Sequence, residues 1–219
     1  VKVDFVFEQI RVGGDRNLGY LVGDRAARVA AAVDPAFSPA LFLERAEAQG
    51  LRITHILNTH GHADHTNGNA DLKRRTGARI AAHPDASPPP DLPLADGATL
   101  PLGSLSVRAL HVPGHTADHL LFFLPAQKVA ITGDLLFVGK IGGTSTDDEA
   151  RAEYESLRRV LRDLPGETTI WPGHDYGCRP ASTLALEILA NPFLRVPDLA
   201  AFLELKRDWP RFKQIHGLK

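Results

Sequence analysis

Cysteine is nearly absent from this chain: Cys178 is the only one in 219 residues. A single thiol excludes an internal disulfide framework and suits a reducing cytosol. Long apolar runs are missing too, since none approaches the roughly 20 residues that span a bilayer. The opening Val1-Lys2-Val3-Asp4 alternates like a strand and lacks the apolar core of a signal peptide. Net charge is also scarce, at -1 with a pI near 6.9, which gives no basic surface for nucleic acid and none for a membrane. There is no HExxH zincin motif, no GxxxxGK[ST] phosphate loop and no sequence repeat. These absences leave a soluble cytoplasmic enzyme with a small-molecule substrate as the expectation, with oligomeric state open.

The chain has enough apolar content, 43%, to bury a full core. We expect one domain over residues 1–219, with a short helical C-terminal extension from about residue 180. Histidine is plentiful: ten against the one cysteine, which favours imidazole and carboxylate ligands over thiolate. The densest stretch is Thr59-His60-Gly61-His62-Ala63-Asp64-His65. The apolar residues Ile53, Ile56 and Leu57 precede it and a Gly/Asn bend (Asn67, Gly68, Asn69) follows. That pattern reads as a buried strand ending in a ligand-bearing loop. Residues i and i+2 of an extended segment face the same way, so His60 and His62 can grip one ion. A turn into helix beyond them would send Asp64 and His65 toward a second. A lone histidine at a strand end is usually an ordinary residue, but three within six positions beside an aspartate are costly to bury without a cation.

Two further turns repeat the theme. Pro113-Gly114-His115 and Pro172-Gly173-His174 each place a histidine just past a sharp bend at a strand end, and Gly133-Asp134 does the same for a carboxylate. His111 reads as a plain strand residue, His119 as either that or a donor supporting the ligands, and His83 as an ordinary histidine of the proline-rich loop 83–94. Strands are expected at 1–10, 18–22, 27–33, 53–58, 78–82, 99–102, 105–110, 120–124, 129–132 and 168–171. Helices are expected from Ser38-Pro39 to Gly50, over 70–75, over 147–162 as the longest, and over 182–190 and 199–207. The glycine-rich loop Val138–Thr146, which carries Lys140, reads as a mobile substrate loop.

In this order His60, His62, Asp64, His65, His115, Asp134 and His174 resemble the metallo-β-lactamase superfamily of metallo-hydrolases, over roughly residues 15–180. The resemblance implies an α/β fold, an αββα sandwich of two mixed sheets with helices outside. It also implies two divalent metal ions per chain, zinc first with iron or manganese as alternatives. His60, His62 and His115 would hold one ion, Asp64, His65 and His174 the other, and Asp134 would bridge them. Within the superfamily the Phe137–Lys140 loop and the His174-Asp175-Tyr176 turn look most like hydroxyacylglutathione hydrolase (glyoxalase II). Lys140 and Tyr176 would then help hold a glutathione-containing substrate. Two close ions lower the pKa of a shared water from about 15.7 to about 7. The implied activity is therefore hydrolysis of a glutathione-type thioester by a metal-bridging hydroxide, with Asp64 as the catalytic group that orients it. The segment 191–194 also resembles persulfide dioxygenases of this fold, which use one iron held by counterparts of His62, His115 and Asp134 or a close set. A metal-binding relative without turnover is a third expectation.

Overall fold

In the computed structural model, which describes residues 4–217, the backbone folds into two six-stranded sheets. The first sheet contains β1 (Phe5–Gly13), β2 (Asn17–Asp24), β3 (Val29–Val33), β4 (Arg52–Leu57), β5 (Arg79–Ala82) and β6 (Leu92–Pro93), in that spatial order. Its β1–β2–β3 part is antiparallel. From β3 onward it is parallel, with helices α1 (Pro39–Ala48), α2 (Ala63–Thr66) and α3 (Asn69–Thr76) supplying the crossovers to β4 and β5 and the loop 83–91 the one to β6. The second sheet begins as an antiparallel meander of β7 (Thr99–Leu102), β8 (Leu105–His111), β9 (Leu120–Leu124) and β10 (Val129–Gly133). Helix α4 (Asp147–Asp163) then crosses to β11 (Thr169–Pro172), parallel to β10, and β12 (Ser182–Thr183) forms the edge. Helices α5 (Leu184–Ala190) and α6 (Leu199–His216) complete the described chain. This is the expected αββα sandwich.

Alternation along the strands builds three apolar layers. Tyr20, Val22, Ala31 and Val33 face Val107, Leu120, Phe122 and Ile131 between the sheets. Their neighbours Leu21, Ala30 and Ala32 point outward under Phe42 of α1 and Leu72 of α3. On the other side Leu121, Phe123 and Ala130 lie under Leu157 and Val160 of α4 and Phe202 of α6. Both sheets are thus covered on both faces, which is why their central strands read as unbroken apolar runs. Each large side chain so buried contributes roughly 2 kcal/mol of transfer free energy.

Several boundaries differ from expectation for local reasons. Residues 1–3 of the expected first strand lie outside the described residues. Ser38 occupies the N-cap of α1, but its hydroxyl donates to Val12 O at 3.1 Å instead of capping the helix. Strand β2 runs two residues past its expected end, through Asp24, whose carboxylate accepts from Ala27 N and Ser104. Ser182 and Thr183, expected as helix, pair with β11, and the Thr183 hydroxyl caps α5. Helix α4 starts from a Thr146/Glu149 capping box and spans 17 residues. The longest helix is instead α6, at 18 residues, which continues through Pro210 where Trp209 packs on Phe193 at a centroid distance of 4.6 Å.

The carboxyl ends of β3, β4, β10 and β11 open onto one end of the sandwich, where Asp34, His60, Asp134 and His174 follow them. Ligand sites of α/β sheets gather at such ends.

Candidate metal centre

Strand β4 stops at Leu57, and the ligand-type residues follow in a short loop and the single turn of α2. His62 is the extended N-cap residue of that turn, and Asp64 and His65 ride on it. His60 Nε2 and His62 Nδ1 lie 3.0 Å apart, and His115 Nε2 lies 3.2 Å from His62 Nδ1. These three rings form one convergent group, while Asp64, His65 and His174 form another. Asp134 sits between them: its Oδ2 is 3.5 Å from His115 Nε2 and 3.3 Å from His174 Nε2, and its Oδ1 is 3.6 Å from His65 Nε2. All seven metal-type positions expected from the sequence therefore meet at one place.

Glycines make the approach possible. A side chain at Gly173 would collide with Asp134 Oδ1, and one at Gly133, where φ is +50°, would lie 2.8 Å from Thr59 Cβ. The two sheets bring their ligand turns together only because these two positions have no Cβ.

The orientation of the rings is fixed from outside. His65 Nδ1 bonds Asp34 Oδ2 at 3.1 Å, His115 Nδ1 bonds Gly143 O at 2.7 Å, and His174 Nδ1 bonds Asp15 O at 2.8 Å. His60 Nδ1 meets Thr59 Oγ1 at 3.0 Å, and that hydroxyl donates to Asp34 Oδ2 at 2.7 Å. An acceptor at Nδ1 keeps the proton there, so in each ring Nε2 turns a lone pair inward. Two of these lone pairs, on His60 and His115, point at His62 Nδ1 from 3.0 and 3.2 Å, and a cation among the three rings would satisfy them together. The Nε2 of His65 and the Oδ1 of Asp134 are buried without a hydrogen-bond partner, which is a further mark of a ligand atom awaiting an ion. The donor set fits divalent cations of the zinc, iron and manganese type.

Charge points the same way. Burial pushes Asp134 up, but the hydrogen bond from His174 and the nearby His65, His174 and His115 outweigh it and hold the carboxyl at about 2. Burial alone would depress His65, yet Asp34, Asp134 and Asp64 raise it to about 9. His174 is raised against its own burial by Asp134. Burial keeps His60 well below its ordinary value, with the neighbouring imidazoles adding to the effect. The carboxylate-rich side of the centre thus attracts positive charge, which a divalent cation would supply.

Supporting residues include several that sequence reasoning passed over. Asp34, the residue just after the strand expected at 27–33, is 2% exposed, has φ +47° and orients two rings. Asn17 donates to Asp64 Oδ2 at 2.8 Å. A buried aspartate and asparagine at strand ends were the available signals, but their partners are distant in sequence. His119 is fully buried and supports Asp134 by accepting its backbone N–H at 3.0 Å, as an acceptor and not as the donor expected. His111 stacks on His83 at 4.2 Å and bonds Ala117 O, so neither joins the centre.

Lys140 and Tyr176 stand beside the centre. The Tyr176 ring stacks on His174 at 4.7 Å, and Lys140 Nζ lies 4.1 Å above that ring. The phenol hydroxyl donates to Asp15 Oδ2 at 2.6 Å, and the Arg16 guanidinium lies 4.6 Å from the ring. A cavity of about 370 Å³ opens here, lined by His115, Asp134, Phe137, Lys140, Tyr176 and Trp209 among others. The loop that carries Lys140 is tied down, in contrast to the mobile loop expected: Gly139 N donates to Glu187 Oε2 at 2.8 Å and Asn191 Nδ2 to Lys140 O at 3.1 Å.

Comparison with known proteins agrees with this architecture. Hydroxyacylglutathione hydrolase from Methylococcus capsulatus is 40% identical, over 87% of this chain and 93% of its own. The crystal structure of ETHE1 from Myxococcus xanthus superposes with a TM-score of 0.86 at 31% identity, covering 93% of this chain and 91% of that one. A structure of TTHA1623 in a di-iron-bound form, 30% identical, superposes with a TM-score of 0.71 over 85% of this chain and all of the other. The family model described as metallo-beta-lactamase superfamily matches residues 23–174, which span every ligand-type position above, and the chain belongs to that superfamily.

Proposed function

We propose that the protein is a metal-dependent hydrolase of glutathione thioesters, holding two divalent ions per chain. The observation that carries the reading is the pair of inward-facing donor groups, His60/His62/His115 and Asp64/His65/His174, with the Asp134 carboxylate between them. In this reading those residues are the ligands and Asp134 is the bridge. The substrate class comes from the relative named hydroxyacylglutathione hydrolase, which this chain matches over 93% of its length. Zinc is the first candidate metal, and the di-iron form of the 30% identical structure supports iron as another.

Bound ions would supply an acidified water and polarise the thioester carbonyl. The protein supplies the rest. Asp64, whose Oδ2 is fixed by Asn17 Nδ2, would orient the attacking water and accept its proton. Lys140, at the cavity wall above Tyr176, would pair with a substrate carboxylate. The leaving thiol has a pKa of about 8.5 by analogy with cysteine, so it departs without a strong general acid. This suits a cavity lined by Lys140, Lys206 and the rings of Phe137, Tyr176 and Trp209.

The test is metal content of the protein purified without added metal, together with thiol release from the glutathione thioester of a 2-hydroxy acid. About two ions per chain and steady thiol release support the reading. A single iron with oxygen consumption on glutathione persulfide would replace it with the dioxygenase alternative. Bound metal without turnover of either substrate would leave a binding protein.

A further inference from the structure

The mechanism leaves one buried ion pair without a role. Glu153 of α4 is fully buried, and Lys206 of α6 donates to its Oε2 and to Gly142 O, the latter at 3.1 Å. Both side chains reach beneath the segment Gly142–Gly143, and Gly143 O is the acceptor that holds His115 Nδ1 at 2.7 Å. Two successive glycines are a poor mount for a ligand's anchor, because they restrict the backbone least. The mount is nevertheless tight. A Cβ at Gly142 would collide with Asp134 O and lie 3.2 Å from Glu153 Oε1. The backbone bond on the near side, Gly142 N to Leu135 O, is long at 3.4 Å. Lys206 also lines the cavity beside the centre. The turn that carries His115 itself also leans on α4, since a Cβ at Gly114, just before His115, would collide with Glu153.

We propose that Lys206, charge-balanced by Glu153, is a positioning residue for His115: it pins Gly142 O, and so fixes the Gly143 carbonyl that sets the ring's tautomer and direction. Its effect is confined to one of the two ion sites. The His60/His62/His115 group depends on it, whereas the Nδ1 atoms of His65 and His174 are anchored on Asp34 and Asp15. Removing only the ammonium leaves a buried carboxylate unpaired, so the variant that separates folding from positioning is the neutral double replacement, Lys206→Met with Glu153→Gln.

The inference rests on the two-ion reading but not on the substrate, so its test measures metal and not hydrolysis. Cobalt(II) would be titrated into wild type and the double variant after chelation, followed by visible spectra and by competition with a chromophoric chelator. The expected result is a variant with wild-type circular dichroism in which one of two cobalt sites weakens about 10-fold or more and changes its absorption. Lys206→Arg, which keeps a donor, should recover part of that loss. If the folded double variant binds both ions as tightly as wild type, the proposal is overturned. Failure of the metal-free double variant to fold would also overturn it, by assigning the pair to the core. Wild type binding no cobalt would mean instead that the two-ion reading itself has failed.

Discussion

Asp34 Oδ2 lies 3.1 Å from His65 Nδ1 and 2.7 Å from the Thr59 hydroxyl that in turn meets His60 Nδ1. One buried carboxylate, placed by a strained left-handed residue at the end of β3, therefore orients a ring in each of the two donor groups. Asp34→Ala should lower affinity for both ions about 10- to 100-fold. Chelator competition on the folded variant measures this, and unchanged affinity would refute the role.

Asp64 and His62 are the solvent-facing members of the seven positions, and the Asp64 side chain is 40% exposed. Asp64→Asn keeps the shape and the Asn17 neighbour but removes the proton acceptor. It should reduce kcat for thioester hydrolysis by a factor of about 100 or more, with the His60/His62/His115 ion retained. Full activity in this variant would exclude Asp64 as the base.

For Lys140 the expected signature is different. Its ammonium lies above Tyr176, away from the reacting atoms, and burial lowers its pKa, with Lys213 and Arg16 adding to the effect. Lys140→Met should raise KM for a glutathione thioester about tenfold while kcat changes little, the pattern of binding shared by ground and transition states. Steady-state kinetics at two ionic strengths would check it, since the wild-type advantage should shrink with salt.

At the opposite end of the sandwich, Asp24 joins the two sheets. Its Oδ2 accepts from the Ser104 hydroxyl and the Ser104 N–H, both at 2.7 Å. Those two bonds, the hydroxyl's first, hold its carboxyl below the usual range despite burial. A depressed folded-state pKa means the stabilisation is complete above the unfolded value of about 3.9 and is lost as pH falls through the lower folded value. Asp24→Ala should cost about 2 kcal/mol at neutral pH and flatten the acid limb of the stability curve. Denaturant melts between neutral pH and acid would show both effects, with metal content unaffected.

How much of this was legible beforehand depended on sequence distance. The histidine-rich stretch, the two Pro-Gly-His turns and Gly133-Asp134 could be read because each carries its meaning within a few residues. The strands could be read because alternation is local. What escaped were pairings across the fold. Asp34 is 25 residues from Thr59, Asn17 is 47 from Asp64, and Lys206 is 53 from Glu153. Helix α6 outran its expected end because tertiary packing of Trp209 carries it across Pro210, against local propensity. The Ser38 hydroxyl, at the start of α1, likewise went to a partner on strand β1, Val12 O.

The two donor groups have a thermodynamic consequence beyond catalysis. His60, His62, Asp64 and His65 follow the first sheet's β4, while His115, Asp134 and His174 follow strands of the second. Each ion would therefore tie together stretches of chain separated by dozens of residues, as a cross-link closes a loop, and it could do so only after the sheets have docked. In such a protein metal capture is the final act of folding. Conversely, stripping the ions should first spread the sandwich at the His60–His174 end and leave the Asp24–Ser104 end as a hinge.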